Sequence, residues 1–180
     1  MLKFLLVLAV PVSAVALLVA RWEYRKHGKL TVWGISLLCA MLFVPNLLLE
    51  YATVYHWPRT PLDFIGVLIG LAGLGLCLIS VIGFRSMPKT LCMDAGELTT
   101  AGLYRWSRNP QYLGWLLLLI GFTLTDWSLW CLAGLVVVAV SLHLLVLIEE
   151  EHLLRIFGSD YADYCRAVPR YFGRGAPLGS

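Results

Sequence analysis

Residues 62–84 read LDFIGVLIGLAGLGLCLISVIGF: a single charge, Asp63, sits at the start of an otherwise apolar run. About 20 mostly apolar residues cross the hydrocarbon of a bilayer as a helix, and this run is long enough. Several other runs pass the same test, and working outward Leu2 to Ala20, Leu30 to Leu49, the shorter Pro110 to Thr125, and Trp127 to Ile148 are read as further spans. A backbone in lipid must satisfy its own hydrogen bonds, and no segment shows the period-2 alternation of a barrel strand, so all five are read as helices. Composition agrees. Of 180 residues, 59% are hydrophobic and 14% charged, with a mean hydropathy of +0.79, outside the ordinary soluble range.

The basic residues predict orientation. Arg21, Arg25, Lys26 and Lys29 follow the first span, Arg85, Lys89, Arg105 and Arg108 the third, and Arg155, Arg166, Arg170 and Arg174 the last; only Lys3 and Arg59 fall on the other side. The positive-inside rule then places the N-terminus outside and the C-terminus in the cytoplasm. A cleaved signal peptide is the alternative for the first span. Its apolar stretch exceeds the usual signal length and a basic cluster directly follows it, so the span is read as retained. The net charge of +3 is small and the basic residues fall between apolar runs, which argues against a nucleic-acid footprint.

Metal chemistry finds no support. Cys39, Cys77, Cys92, Cys131 and Cys165 show no C-x-x-C spacing, and His27, His56, His143 and His152 form no ligand motif. An organic cofactor is the expectation instead. The predicted organisation is one membrane domain over 1–180, with a two-helix region at 1–61, a core at 62–172 and a flexible tail at 173–180. Arg85 to Asn109 is too long for a simple connector, and Glu149 to Val168 reads as an amphipathic cytoplasmic helix or pair of helices interrupted at Gly158.

Two stretches crowd polar groups at a membrane edge. Gly102-Leu-Tyr-Arg-Trp-Ser-Arg-Asn-Pro-Gln-Tyr-Leu-Gly114 leads into the fourth span, with Pro110 suited to a first helical turn. Its bland reading is a pair of arginine anchors within an aromatic belt. Glu149, Glu150 and Glu151 directly follow the fifth span on the basic side. They fit either a solvated helix start or a partly desolvated site for a cationic ligand. His143, inside the fifth span and two turns before Glu150, lies on nearly the same face; it is either a functional group or a neutral ring bonded within the bundle.

Together, G-x-Y-x-x-x-R-N-P-x-Y-x-G at Gly102 to Gly114 and E-E-x-x-L-x-x-x-F-G-x-x-Y-x-x-Y at Glu149 to Tyr164 resemble the membrane methyltransferases that include isoprenylcysteine carboxyl methyltransferases and phospholipid N-methyltransferases. The resemblance covers roughly Gly70 to Arg170, with Val168-Pro-Arg170 also similar. It implies S-adenosylmethionine as cofactor, held without a Rossmann domain. By motif, Gly96, Glu97, Leu98 and Thr99 would give backbone contacts; Tyr104, Asn109, Pro110, Gln111 and Tyr112 would line the pocket; Glu149 and Glu150 would hold polar or cationic parts. Gly73 and Gly75 resemble a Gly-x-Gly of the phospholipid branch, though small residues in membrane helices also serve close packing.

Two departures bear on the acceptor. Asn109 stands where the family has histidine; asparagine keeps a donor and an acceptor but cannot titrate near neutrality. Leu145 stands where isoprenylcysteine enzymes carry a substrate-binding arginine. The expectation is therefore a lipid or small hydrophobic acceptor entering from the bilayer, with phospholipid N-methylation favoured, carboxyl O-methylation a close competitor, Glu150 or His143 as proton acceptor and Arg108 as a clamp for a carboxylate. The rivals are a non-catalytic membrane module and a sterol-reductase-like enzyme using a nicotinamide cofactor. A transporter, the main case of the first, would tend to show inverted repeats and intramembrane charges, and the sequence has no visible repeat and few such charges; the second fits the Pro110 motif and glutamate pair less well.

Overall fold

The computed structural model describes residues 2–52, 58–83, 98–125 and 127–172, with backbone alone at 2–6 and 43–52. The regular elements among these residues are all helices, without a strand. The helices are α1 (Leu2–His27), α2 (Val32–Ala52), α3 (Pro61–Gly83), α4 (Pro110–Thr125), α5 (Leu129–Phe157) and α6 (Ser159–Ala167), with a 3-10 turn at Gly102–Arg105 before α4. Each predicted span coincides with a helix. Val7–His27, Pro61–Gly83 and Leu129–Phe157 are long and apolar enough to cross a membrane, while Val32–Leu42 and Pro110–Thr125 are shorter apolar helices. The protein is an all-helical integral membrane protein.

Two helices outrun their apolar segments. α1 continues past Ala20 until Gly28, whose φ of 67° takes the left-handed conformation that ends a helix. The extension is held because Glu23 and Tyr24 are buried. The Glu23 carboxylate accepts from the Thr31 backbone N–H at 2.8 Å and so fixes the turn into α2. α5 likewise continues through the glutamates to Phe157, where Gly158 at φ 54° breaks the chain. The predicted cytoplasmic helix pair is thus the end of α5 followed by the separate α6. Apolar composition marks where lipid stops; helix formers such as Glu149, Leu153 and Arg155 let the helix run on.

Helix contacts are of two kinds. α3 and α4 meet backbone to backbone: Gly66, Gly70 and Gly73 lie one turn apart on α3 and face Gly114 and Gly121 of α4. A Cβ on Gly121 would stand 2.5 Å from the Gly66 carbonyl oxygen, and one on Gly73 would stand 2.5 Å from the Leu118 nitrogen. Small residues permit such an approach in a membrane, where dispersion rather than the hydrophobic effect joins helices. α1, α2 and α5 instead interlock side chains, with Ala16, Ala20, Tyr24, Met41 and Leu145 buried together.

Gly121→Val must push the helices apart, at a cost of about 1–3 kcal/mol. Gly75→Ala meets no atom within 4 Å. The expected result is a lowered thermal midpoint in detergent for the first variant and an unchanged one for the second; equal midpoints would contradict the contact.

Candidate functional site

The three adjacent glutamates are the starting point. Successive residues of a helix turn by roughly 100°, so neighbouring carboxylates on α5 point in different directions. Glu149 accepts a hydrogen bond from the Tyr112 hydroxyl of α4 at 2.6 Å. Glu150 receives Arg170, whose Nε lies 3.0 Å from each carboxylate oxygen and whose Nη2 lies 2.6 Å from Oε2. It also receives Arg108 Nη1 at 3.2 Å. Glu151 turns toward α1, with Arg21 at 3.1 Å and Arg25 at 2.6 Å. The next residue, His152, stacks on Tyr24 of α1 at 4.2 Å between ring centroids. Arginines of the chain itself therefore pair with the Glu150 and Glu151 carboxylates.

The environments of these pairs differ. Side-chain exposure is 13% for Glu150 and 11% for Arg108, against 35% for Glu151 and 53% for Arg25. An exposed pair contributes about 0–1 kcal/mol. Removing one member of a buried pair strands the other charge away from water and costs far more.

Arg170 reaches Glu150 because the chain doubles back after α6. The Arg108 backbone N–H donates to the Pro169 carbonyl at 3.0 Å. The Ser107 hydroxyl and the Asn109 side-chain amide both donate to the Arg170 carbonyl at 3.2 Å. The loop before α4 thus holds the returning segment Val168–Phe172 by its backbone. Asn109 supplies a donor, a task that needs no titrating ring. Farther along, Tyr171 hydroxyl and His143 Nδ1 lie 2.9 Å apart.

A tyrosine cluster closes the other side. Tyr161 and Tyr164 of α6 pack with Val168, and Leu98 lies against them. The Tyr164 hydroxyl donates to the Tyr104 carbonyl at 2.7 Å, and the Tyr104 hydroxyl donates to Gln111 Oε1 at 3.2 Å. Burial pushes both α6 phenols far above their ordinary pKa, with the negative Glu150 adding to the effect at Tyr161. Burial also raises Tyr171. All three remain neutral donors near neutrality. The hydrogen bond to Glu150 holds Arg170 more firmly protonated still. Arg108 also donates to Cys165 Sγ, and its Nε is buried without a hydrogen-bond partner among the described residues.

The residues named from sequence divide accordingly. Tyr104, Arg108, Asn109, Gln111, Tyr112, Glu149 and Glu150 converge around the loop, α4 and α5. Pro110 opens α4 and is buried, while Leu98 and Thr99 are half-buried in the stretch before the 3-10 turn. Gly96 and Glu97 lie outside the described residues. Gly73 lies within the α3–α4 contact, against Gly114 and Leu118, and is a packing residue; Gly75 has no atom within 4 Å of where a Cβ would stand. Leu145 is buried among Ala20, Tyr24 and Met41, so a guanidinium there would enter an apolar core. Sequence reading missed Ser107, Cys165, Arg170 and Tyr171 as site residues. The Val168-Pro-Arg170 resemblance was the available signal for Arg170, but nothing in it specified Glu150 as the partner. Among the described residues no group of side chains could hold a metal ion.

The family described as phospholipid methyltransferase matches residues 64–160, more than half of the chain. The chain belongs to that family. A protein-S-isoprenylcysteine O-methyltransferase of Xenopus laevis is 31% identical over 115 residues, which cover 61% of this chain and 40% of the relative. Proteins of the same name from Tribolium castaneum and Rattus norvegicus are 29% and 30% identical over 124 residues each; the matches cover 60% and 63% of this chain and 42% and 43% of those relatives. The chain therefore spans about two-fifths of the length of the relatives it matches. No solved structure matches it.

Two measurements check this family member's site. Glu150→Ala strands the buried Arg108 guanidinium and is expected to cost about 3 kcal/mol in denaturant unfolding, whereas Glu151→Ala costs below about 1 kcal/mol; similar losses would contradict the difference in burial. In alkali, the unfolded chain's phenols ionise near about pH 10 while the folded phenols of α6 keep their protons. Their contribution is full below that pH and is lost as pH rises through and beyond it. Tyr161→Phe should therefore flatten the alkaline fall in stability, and an unchanged fall would contradict it.

Proposed function

We propose that this chain is a membrane methyltransferase that uses S-adenosylmethionine to methylate the carboxylate of a hydrophobic acceptor at the membrane edge where Glu150 lies. One observation carries the reading. Two guanidiniums, Arg108 and Arg170, meet on one buried carboxylate, which leaves one positive charge over among these three groups. Arg108 Nε is in addition a buried donor with no described partner. Such a cluster has capacity for a further carboxylate, and charge-assisted contacts to guanidinium are roughly twice as strong as neutral ones.

The donor set fits the cofactor. S-adenosylmethionine carries an ammonium and a sulfonium, which suit the Glu149 carboxylate, and the surplus guanidinium charge is left to the acceptor. Leu98, Thr99, Tyr104, Asn109, Gln111 and Tyr112 are the nearby lining, and Gly96 and Glu97 are the remaining contacts suggested by motif. When bound, the cofactor supplies an electrophilic methyl group. The chain's own work is then to position, to exclude water and to orient the acceptor. A carboxylate acceptor is ionised at neutral pH, so neither Glu150 nor His143 need take a proton. Arg108 orients the acceptor oxygen, and the neutral phenols of Tyr161 and Tyr164 shield the cluster from water.

The activity named for the relatives favours this acceptor class over the phospholipid amine expected from sequence. Leu145 loses its weight as counter-evidence, because Arg170 brings to the cluster a guanidinium absent at 145. The amine retains one support, the description of the matched family. We read five spans, with the C-terminus and this site on the cytoplasmic side; the five apolar helices and the distribution of basic residues support that reading.

The test is methyl transfer from labelled cofactor to N-acetyl-farnesylcysteine and to phosphatidylethanolamine in one nanodisc preparation, beside calorimetric binding of S-adenosylhomocysteine. The expected result is cofactor binding, with turnover of the farnesylated carboxylate. Arg108→Gln should lower its kcat/KM by about 10- to 100-fold, the equivalent of one charge-assisted contact. Turnover of the amine lipid alone would restore the phospholipid reading, and absence of cofactor binding would overturn both.

A further inference from the structure

α1 and α5 leave the apolar zone side by side. The apolar run of the first span ends at Ala20 and that of the fifth at Ile148, and directly beyond them Arg21 and Arg25 of α1 meet Glu151 of α5. One carboxylate thereby holds two guanidiniums next to each other. Arg21 Nη2 lies 3.1 Å from its Oε2, while Arg25 places Nη2 at 2.6 Å and Nε at 3.1 Å from its Oε1. Both arginines stay about half exposed. Arg155 lies one turn beyond Glu151 on the same face of α5, and Lys26 and Lys29 follow Arg25 on the chain; all three are exposed. Glu23 does not offset them at the surface, because it is buried and accepts from Thr31. Five cations thus crowd one membrane edge around the half-buried carboxylate of Glu151.

Below these cations the outer side of α1 is apolar. Val15, Leu18 and Trp22 are exposed and, with Lys26, recur at the i, i+3, i+7, i+11 spacing of one helical face. The Lys26 ammonium stands 4.5 Å from the centre of the Trp22 ring, a cation–π contact, and an indole at this height suits the border between hydrocarbon and headgroups. The order along α1 is therefore aliphatic, then indole, then clustered guanidinium and ammonium, which complements the acyl chain, glycerol region and phosphate of a phospholipid. The surplus of cations selects a headgroup of net negative charge, since a zwitterionic one brings its own cation to the same place. Anchoring a span needs only charges near the membrane. It does not need a carboxylate that gathers two of them.

We propose that the α1–α5 edge binds the headgroup of an anionic phospholipid, with the phosphate at Arg21, Arg25 and Lys26 and an acyl chain along Leu18 and Val15. Glu151 presents the two arginines side by side and competes with the phosphate for them. This lipid is a bound partner of the fold, and the proposal does not rest on the methyltransferase reading.

The experiment is native mass spectrometry of the full protein released from detergent after incubation with equal amounts of phosphatidylglycerol and phosphatidylcholine of the same acyl chains. Wild-type protein is expected to retain phosphatidylglycerol over phosphatidylcholine by at least about fivefold. Arg25→Gln combined with Lys26→Gln should bring that ratio close to unity, whereas Arg59→Gln, beside the start of α3, should leave it unchanged. Glu151→Gln separates a lipid site from a plain ion pair. Loss of the competing carboxylate frees both guanidiniums for phosphate, so retention of phosphatidylglycerol should rise by about two- to fivefold. Inorganic phosphate in large excess should not displace the lipid. Equal retention of the two lipids by wild-type protein, an unchanged ratio in the Arg25 and Lys26 double variant, or a Glu151→Gln variant that holds no more phosphatidylglycerol than wild type would each overturn the site. Displacement by inorganic phosphate would overturn it in favour of a soluble anion.

Discussion

The site depends on the contact of Glu150 with Arg108 and Arg170. It gathers three parts of the chain, the loop before α4, the far end of α5 and the segment returning after α6, and no pair of them is adjacent in sequence. Glu150 and Arg108 are largely shielded from water while Arg170 is about a third exposed, so removing Glu150 strands Arg108 at a cost that a surface pair would not carry. The neighbouring backbone bonds act with it. Arg108 N–H holds Pro169, and Ser107 and Asn109 hold the Arg170 carbonyl, so the same loop fixes the backbone and the side chain of the arginine.

The helices behind this cluster keep it in place by different means. α3 and α4 touch through glycine backbones, a contact with almost no tolerance for added atoms. α4 therefore presents Tyr112 to Glu149 from a fixed distance. α1 and α2 grip α5 through side chains, and Arg21 and Arg25 take up Glu151. That leaves Glu149 and Glu150 to face the interior. Three identical residues acquire three roles because each successive side chain turns by about a quarter of a revolution or slightly more, and each direction meets a different neighbour.

Much of this architecture is legible in the amino-acid sequence. Apolar runs locate five helices because lipid tolerates few charges and no unsatisfied backbone. Pro110 marks the start of α4, and the glutamates mark a polar edge. Helix ends are less legible: nothing apolar marks the continuation of α1 to His27 or of α5 to Phe157, which rests on helix propensity and on burial against neighbours. The arginine partners are least legible. Arg108 and Arg170 look like membrane anchors in sequence, and only the doubling back of the chain at Gly158 and Val168 gives them a shared carboxylate. Gly73 fits the packing alternative, since its position lies within the close contact of α3 and α4. The side chain at Leu145 is legible as part of a buried apolar cluster only once α1 and α2 are in place.

Whether this cluster is the cofactor's site is decided by hydrogen–deuterium exchange of the intact protein in nanodiscs, with and without S-adenosylhomocysteine. Exchange is expected to slow in peptides covering 103–112, 149–154 and 168–172, with the α1–α2 turn at 28–31 unchanged. Ligand binding that slows exchange elsewhere and leaves those three segments untouched would contradict the assignment.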